Sequence, residues 1–203
     1  IEKDREKQYI KSLLNELGSD TTQLNARLDF RIGKMKTLDS IMLLLKSKNL
    51  RNQTALLYYH GFYAPFALKY IPNNGVLSQL KNSGGLRLIR RQIVVDSLLS
   101  FDIETQWIED FEMWERQRFM DLTPYEKVLD AAVFESYLHY QYPENVFLLR
   151  RMTDNPPLLS EKKEDLDRFY SRVQMQKRLN AVLISRFYHL KRRIDKLITL
   201  IKK

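Results

Sequence analysis

Cysteine is absent from this 203-residue chain, which removes disulfides, thiolate nucleophiles and cysteine-ligated zinc from consideration and leaves the redox compartment open. Glycine and proline are scarce, six of each. Turns are therefore few, and the elements between them must be long, which favours helices. Long apolar runs are missing too: the longest aliphatic stretch is Ile41 to Leu45, far short of the ~18 to 20 residues that cross a bilayer. His60, His139 and His189 are the only histidines and stand far apart. No Val/Ile/Thr-rich alternating run calls for a strand, and no solenoid repeat or low-complexity tract is present.

What remains is a globular composition, 44% hydrophobic and 29% charged, outside the disordered class. The length fits one domain, residues 1–203, more naturally than two. Lys and Arg number 34 against 25 Asp and Glu, so the surface attracts anions: nucleic acid, anionic lipid or an acidic partner.

From Glu2 to about Ser47 the apolar residues keep a 4-3 spacing, Ile10, Leu14, Leu17, Leu24, Leu28, Met35, Leu38, Met42 and Leu45, with polar Thr21 and Arg31 in the same row. From about Ser160 to Ile201 the pattern returns: Leu166, Phe169, Val173, Leu183, Phe187, Leu190, Ile194, Leu197 and Ile201, with Gln176 and Asn180 in register. A period of 3.5 held this long predicts helices that face other helices through a narrow seam, within one chain or between two. Two helices of about 40 residues reach roughly 60 Å, so they can lie side by side, antiparallel.

Between them the sequence predicts shorter helices. Gln53 to Tyr70 is rich in aromatics and interrupted at Pro65, Ile71-Pro72-Asn73-Asn74-Gly75 is a turn, and Val76 to Asn82 is a short helix. Ser83-Gly84-Gly85 ends it with glycine in the left-handed conformation, Leu86 to Asp121 forms the next helix, and Thr123-Pro124 opens one through Gln141, closed by Tyr142-Pro143. The expected class is all-α: an elongated bundle of two long antiparallel terminal helices with three to four shorter helices between.

Each candidate chemistry has a plainer structural reading. Glu135 and His139, four apart, can share a helical face as metal ligands, but no second such motif accompanies them, so an ordinary helix contact is the better reading. Trp107, Phe111 and Trp114 form one stripe with Glu104, Glu109, Asp110, Glu112 and Glu115 around it, which reads as a core-facing helix with acidic flanks rather than a glycosidase pair. Gly84-Gly85 before a basic segment lacks the preceding strand and the lysine of a phosphate loop, and reads as a tight turn. No catalytic residue, metal site or cofactor is expected. Two surfaces are candidates for contact. One is a cationic face for an anionic surface: Arg186, Lys191, Arg192, Arg193 and Lys196. The other is a partner surface in the aromatic segment: Tyr58, Tyr59 and Tyr63.

Two passages resemble a known family. The opening, with acidic and basic residues leading into Tyr9-Ile10-Lys11-Ser12-Leu13-Leu14-Asn15-Glu16-Leu17 and then Asp20, resembles the segment just after the membrane span in an uncharacterised family of Bacteroidota single-pass proteins. Leu80-Lys81-Asn82-Ser83-Gly84-Gly85-Leu86-Arg87-Leu88-Ile89 resembles that family's L-K-S-S-G-N-L-R-L-I signature, with Asn82 and Gly85 where Ser and Asn are usual. The resemblance implies a membrane anchor before Ile1 and a helical domain on the extracytoplasmic side of the inner membrane; it implies no activity. The expected function is a non-enzymatic, membrane-tethered sensor, scaffold or protein-interaction domain with a protein partner and contact to anionic lipid. The alternative is a cytosolic nucleic-acid binder using the last helix's basic face. It is less favoured because Tyr188 is the main aromatic beside those cations.

Overall fold

The computed structural model describes residues 2–119, 121–141 and 146–203. Three long helices dominate: α1 (Glu2–Leu45), α4 (Gln92–Phe119) and α7 (Lys163–Lys202). Between α1 and α4 lie α2 (Thr54–Tyr63) and α3 (Gly75–Asn82), and between α4 and α7 lie α5 (Thr123–Glu126), α6 (Ala131–Tyr137) and a two-stranded antiparallel hairpin, β1 (Leu138–Gln141) with β2 (Val146–Leu149). The chain is predominantly helical, with long helices at both ends. It divides into two compact units, one of residues 1–31, 68–114 and 182–203 and the other of residues 32–67 and 115–181.

The seam of α7 is buried at every step from Phe169 through Val173, Gln176, Asn180, Leu183, Phe187, Leu190, Ile194 and Leu197 to Ile201. On α1 the buried row is Leu13, Leu17, Asp20, Leu24, Leu28, Arg31, Lys34, Leu38, Ile41 and Leu44. It shares Leu17, Leu24, Leu28, Arg31 and Leu38 with the expected row and elsewhere buries neighbours of it, because a straight helix gains about 20° per heptad on a strict 3.5 repeat. On α4 the buried row is Val94, Leu98, Phe101, Thr105, Ile108, Glu112 and Glu115, in strict 4-3 alternation.

In the first unit, Glu6 accepts from the Arg90 amide (3.1 Å), and Arg91 Nη1 donates to the Leu200 carbonyl (2.5 Å). The start of α1, the approach to α4 and the end of α7 therefore meet. Farther along, Arg31 meets Glu112 (3.2 Å) and Lys191 Nζ donates to Asn25 Oδ1 (2.6 Å). Helices α1 and α4 thus run parallel here, with α7 antiparallel to both. An extended segment runs down α1 before α3, its backbone held by α1 side chains. Arg27 Nε donates to the Lys69 carbonyl (2.8 Å), Asp20 Oδ1 accepts from the Asn73 amide (2.8 Å), and Glu16 Oε1 accepts from the Val76 amide (2.9 Å).

In the second unit, Asp39 pairs with Lys177 (2.5 Å) and Lys46 lies over the Tyr170 ring, so α1 and α7 are antiparallel there too. Their core joins Leu38, Ile41 and Leu44 to Leu57, Tyr58, Val128, Leu129, Phe169 and Val173. Gly61 on α2 faces Leu129 so closely that an added Cβ would stand 2.4 Å from its Cδ1.

Three expectations are corrected. Helix α2 stops at Tyr63, and residues 67–74 are not helical, because Pro65 and Pro72 supply no amide donors and bias the residues before them away from the helix. The helix expected from Leu86 begins at Gln92, after a 3-10 turn over Gly85–Leu88. The single helix expected from Thr123 to Gln141 is two short helices and a strand, so the absence of strands does not hold. Tyr- and Val/Phe-containing runs on either side of the Pro-Glu-Asn sequence are a hairpin signal. Tyr142-Pro143 and Ile1 lie outside the described residues.

Phe187 is fully buried and meets the Tyr70 ring edge-on at 6.0 Å. Phe187→Ala should cost about 3–5 kcal/mol in urea unfolding, whereas Ile103→Ala, at a side chain 68% exposed, should stay within about 0.5 kcal/mol. Equal losses from the two would contradict this assignment of the core.

Candidate functional site

The structure places the sequence-predicted site residues unevenly. Tyr58 is fully buried, its hydroxyl donating to the Pro157 carbonyl (2.8 Å) and accepting from the Asp130 amide (3.0 Å). Such a group ties α2 to the chain before α7, so Tyr58 is a structural tyrosine and not part of a partner surface. Tyr63 is partly buried and accepts from the Leu149 amide (3.3 Å), while Tyr59 is exposed against Tyr63. Beside them an apolar cavity of about 310 Å³ opens between Gly61, Phe62, Phe66, Leu122, Leu129 and Phe134.

Glu135 and His139 do not share a helical face: Glu135 is on α6, and His139 is on β1 against Arg150 (3.2 Å). Among the described residues no group of three or more acidic, histidine or cysteine side chains could hold a metal ion, and no helix is long and apolar enough to cross a membrane.

The five cations singled out on α7 are partly engaged within the first unit. Glu104 faces both Arg186 (3.4 Å) and Arg193 (4.0 Å), and Lys191 is held by Asn25. Arg192 lies against His189 one turn earlier, and Lys196 lines a shallow cavity with Asp96 and Ser100. Arg186 also stacks over Trp107, 4.3 Å from the ring centroid. Sequence reasoning missed this aromatic partner because the two residues come from different helices.

The largest inversion is on α4. Trp107, Phe111 and Trp114 do not face the core. Trp107 and Trp114 are exposed, and with Leu99 and Ile103 they make an outward apolar row, while Glu112 and Glu115 are buried. Trp107 stacks on Phe111 at 5.0 Å, and Phe111 meets Trp114 at 5.4 Å. The 4-3 row from Val94 to Glu115 was the available signal, obscured because carboxylates in it look like surface residues. Buried Glu112 accepts from buried Arg31 and, at 2.9 Å, from the Tyr70 amide.

Near this pair Asp20 and Tyr70 are both fully buried and interact with each other, although among the described residues neither Asp20 Oδ2 nor the Tyr70 hydroxyl has a partner in hydrogen-bond geometry. Burial pushes the Asp20 carboxyl above the usual range, with the neighbouring Glu16 acting the same way and the hydrogen bonds from Asn73 pulling against both. Burial, then Asp20 itself, pushes the Tyr70 hydroxyl well above the ordinary phenol range. The network holds the extended segment to α1 and α4.

A polar cavity of the first unit lies beside Gly84. It holds about 520 Å³ between α1, α3 and the 3-10 turn after Gly84, and its lining includes Arg5, Gln8, Ser12, Gln79 and Arg87. Gly84 adopts φ 67°, as expected of the turn. Compared with family models, curated proteins and solved structures, the chain finds no match.

The Asp20 shift sets a pH dependence. Its folded carboxyl takes a proton more readily than the ordinary group, near 3.8, so folding is favoured when it is protonated and pays a penalty as pH rises through the raised value. Asp20→Asn keeps an acceptor for Asn73 and turns an amide donor toward Tyr70. Its melting temperature should exceed the parent's at pH 7 and match it near the unperturbed carboxylate range. A variant equally destabilised at both pH values would contradict burial as the dominant cause.

Proposed function

We propose that this chain is a non-enzymatic, membrane-tethered helical interaction domain whose first unit meets an anionic membrane surface at the end where α1 begins. The observation that carries this reading is the gathering of exposed cations there. Arg5 and Lys7 open α1, Arg87, Arg90 and Arg91 precede α4, and Lys202 and Lys203 close the chain; the Glu6–Arg90 and Arg91–Leu200 contacts bring these stretches together. In sequence the opening stretch of α1 also carries the acids Glu2, Asp4 and Glu6, while the stretches before α4 and at the end of α7 add cations alone. Cations near an anionic bilayer contribute about 1 kcal/mol each, so the cluster is worth more than any one contact.

The tether follows from the resemblance of the opening residues to a post-membrane segment, and an anchor before Ile1 would deliver this basic end to the bilayer. The anionic contact thereby shifts from the middle of α7, where Glu104 offsets Arg186 and Arg193, to its end. A protein partner would find its surface in the outward row of α4 more readily than in Tyr58, because Ile103, Trp107 and Trp114 offer solvent-facing apolar area without displacing core. The nucleic-acid alternative gains a stacking residue in Trp107, but the cation over it already has Glu104 as a counter-ion.

Vesicles test the membrane reading. Phosphatidylcholine vesicles containing phosphatidylglycerol should sediment with the chain at low salt and release it at high salt, and pure phosphatidylcholine should not retain it. Lys202→Gln and Lys203→Gln should each weaken retention by roughly fivefold. Equal behaviour on neutral and anionic vesicles would overturn the proposal.

A further inference from the structure

The cavity beside Gly84 carries a more specific chemistry than the basic end around it. Arg5, Gln8 and Ser12 project from one face of α1 at spacings of three and four residues, the arrangement that aligns side chains on a helix. Gln79 faces them from α3, and Arg87 arrives from the 3-10 turn. Two glycines bring Arg87 there. Gly84 takes a left-handed conformation that reverses the chain, and Gly85 packs where a Cβ would stand 3.0 Å from Leu80 Cδ2, so the turn lies close against α3.

Among the described residues the lining contains two guanidinium groups, hydroxyls, carboxamides and the apolar Val76 and Leu88, and no carboxylate. Neither the Arg5 nor the Arg87 guanidinium has an ion pair or hydrogen bond among the described residues, whereas that of the neighbouring Arg90 is tied to Glu6. Cations gathered in a concave, acid-free lining with additional neutral donors make a receptor for a tetrahedral oxyanion, because guanidinium groups present paired N–H donors that match its oxygens. The volume lies within the range that holds small ligands. The four-residue turn contributes no helix terminus, so the side chains provide the recognition.

We propose that this cavity binds a phosphate group, with Arg5 and Arg87 as its cationic contacts and Gln8, Ser12 and Gln79 as neutral donors. The inference deepens the reading of this end as an anionic contact. The same phosphate chemistry can come from a lipid headgroup or from a free phosphomonoester, and the test separates the two.

The full chain is titrated by calorimetry with inorganic phosphate, with glycerol 3-phosphate and with a short-chain, monomeric phosphatidic acid, alongside the vesicle assay. Saturable binding of any of the three that Arg87→Gln or Arg5→Gln weakens by about tenfold to hundredfold supports the site. Binding of all three assigns a free phosphate, and binding of phosphatidic acid alone assigns a headgroup. Lys202→Gln/Lys203→Gln serves as the control, weakening vesicle retention while leaving the titrations unchanged. Phosphate binding without vesicle retention keeps the site and removes the membrane reading. Absence of binding to every probe, or affinity unchanged in both arginine variants with unaltered thermal unfolding, overturns the site.

Discussion

The ion pair between Arg31 and Glu112 is the constraint around which the first unit is organised. Both side chains are taken out of water, and a buried charge without its partner costs several kcal/mol. Only one axial register of α1 against α4 brings the guanidinium to the carboxylate, so the pair selects among alignments that Leu and Val side chains would tolerate almost equally. Glu112 spends its second oxygen on the Tyr70 amide and thereby holds the extended segment as well. Asp20 and Glu16 continue that function along α1 by accepting from the amides of Asn73 and Val76. A non-helical stretch can lie against helices here because acidic side chains satisfy its amides.

This arrangement explains which parts of the structure were legible in the sequence. The row from Phe169 to Ile201 was read with its polar members Gln176 and Asn180 in place, and all are buried, since a strict heptad leaves little freedom in choosing the inward face. Arg31 was recognised as a polar member of the α1 row, but its partner was not. In sequence Glu112 reads as a flank residue beside two tryptophans, whose bulk suggests a core face. The true α4 row pairs charge with charge across 81 positions in sequence, and a single chain shows no sign of such pairing until the helices are aligned. The hairpin was lost differently: Leu138 to Gln141 follows a capped helix with no break of its own, and Glu135 and His139 looked continuous.

Of the candidate site, the sequence revealed composition more than place. It showed that the chain is basic and that α7 carries many cations, but not that Glu104 attends to two of them. The gathering of Arg5, Arg87, Arg90 and Lys202 depends on three stretches far apart in the chain. The turn at Ser83-Gly84-Gly85 was read as a turn, and so it is, yet its consequence, an arginine set opposite the first turns of α1, exists only in three dimensions. The basic end, the cavity beside Gly84 and the outward row of α4 are thus separate features of the first unit.

A double-mutant cycle on Arg31→Met and Glu112→Gln, read by urea unfolding, tests the organising role of the pair most directly. Glutamine preserves the acceptor for Tyr70 while removing the charge, and methionine fills most of the arginine's apolar volume. Each single change should cost about 3–5 kcal/mol by breaking a buried charge pair, and the double variant should lose far less than the total of the two. Losses that simply add, or a single variant as stable as the parent, would contradict the account.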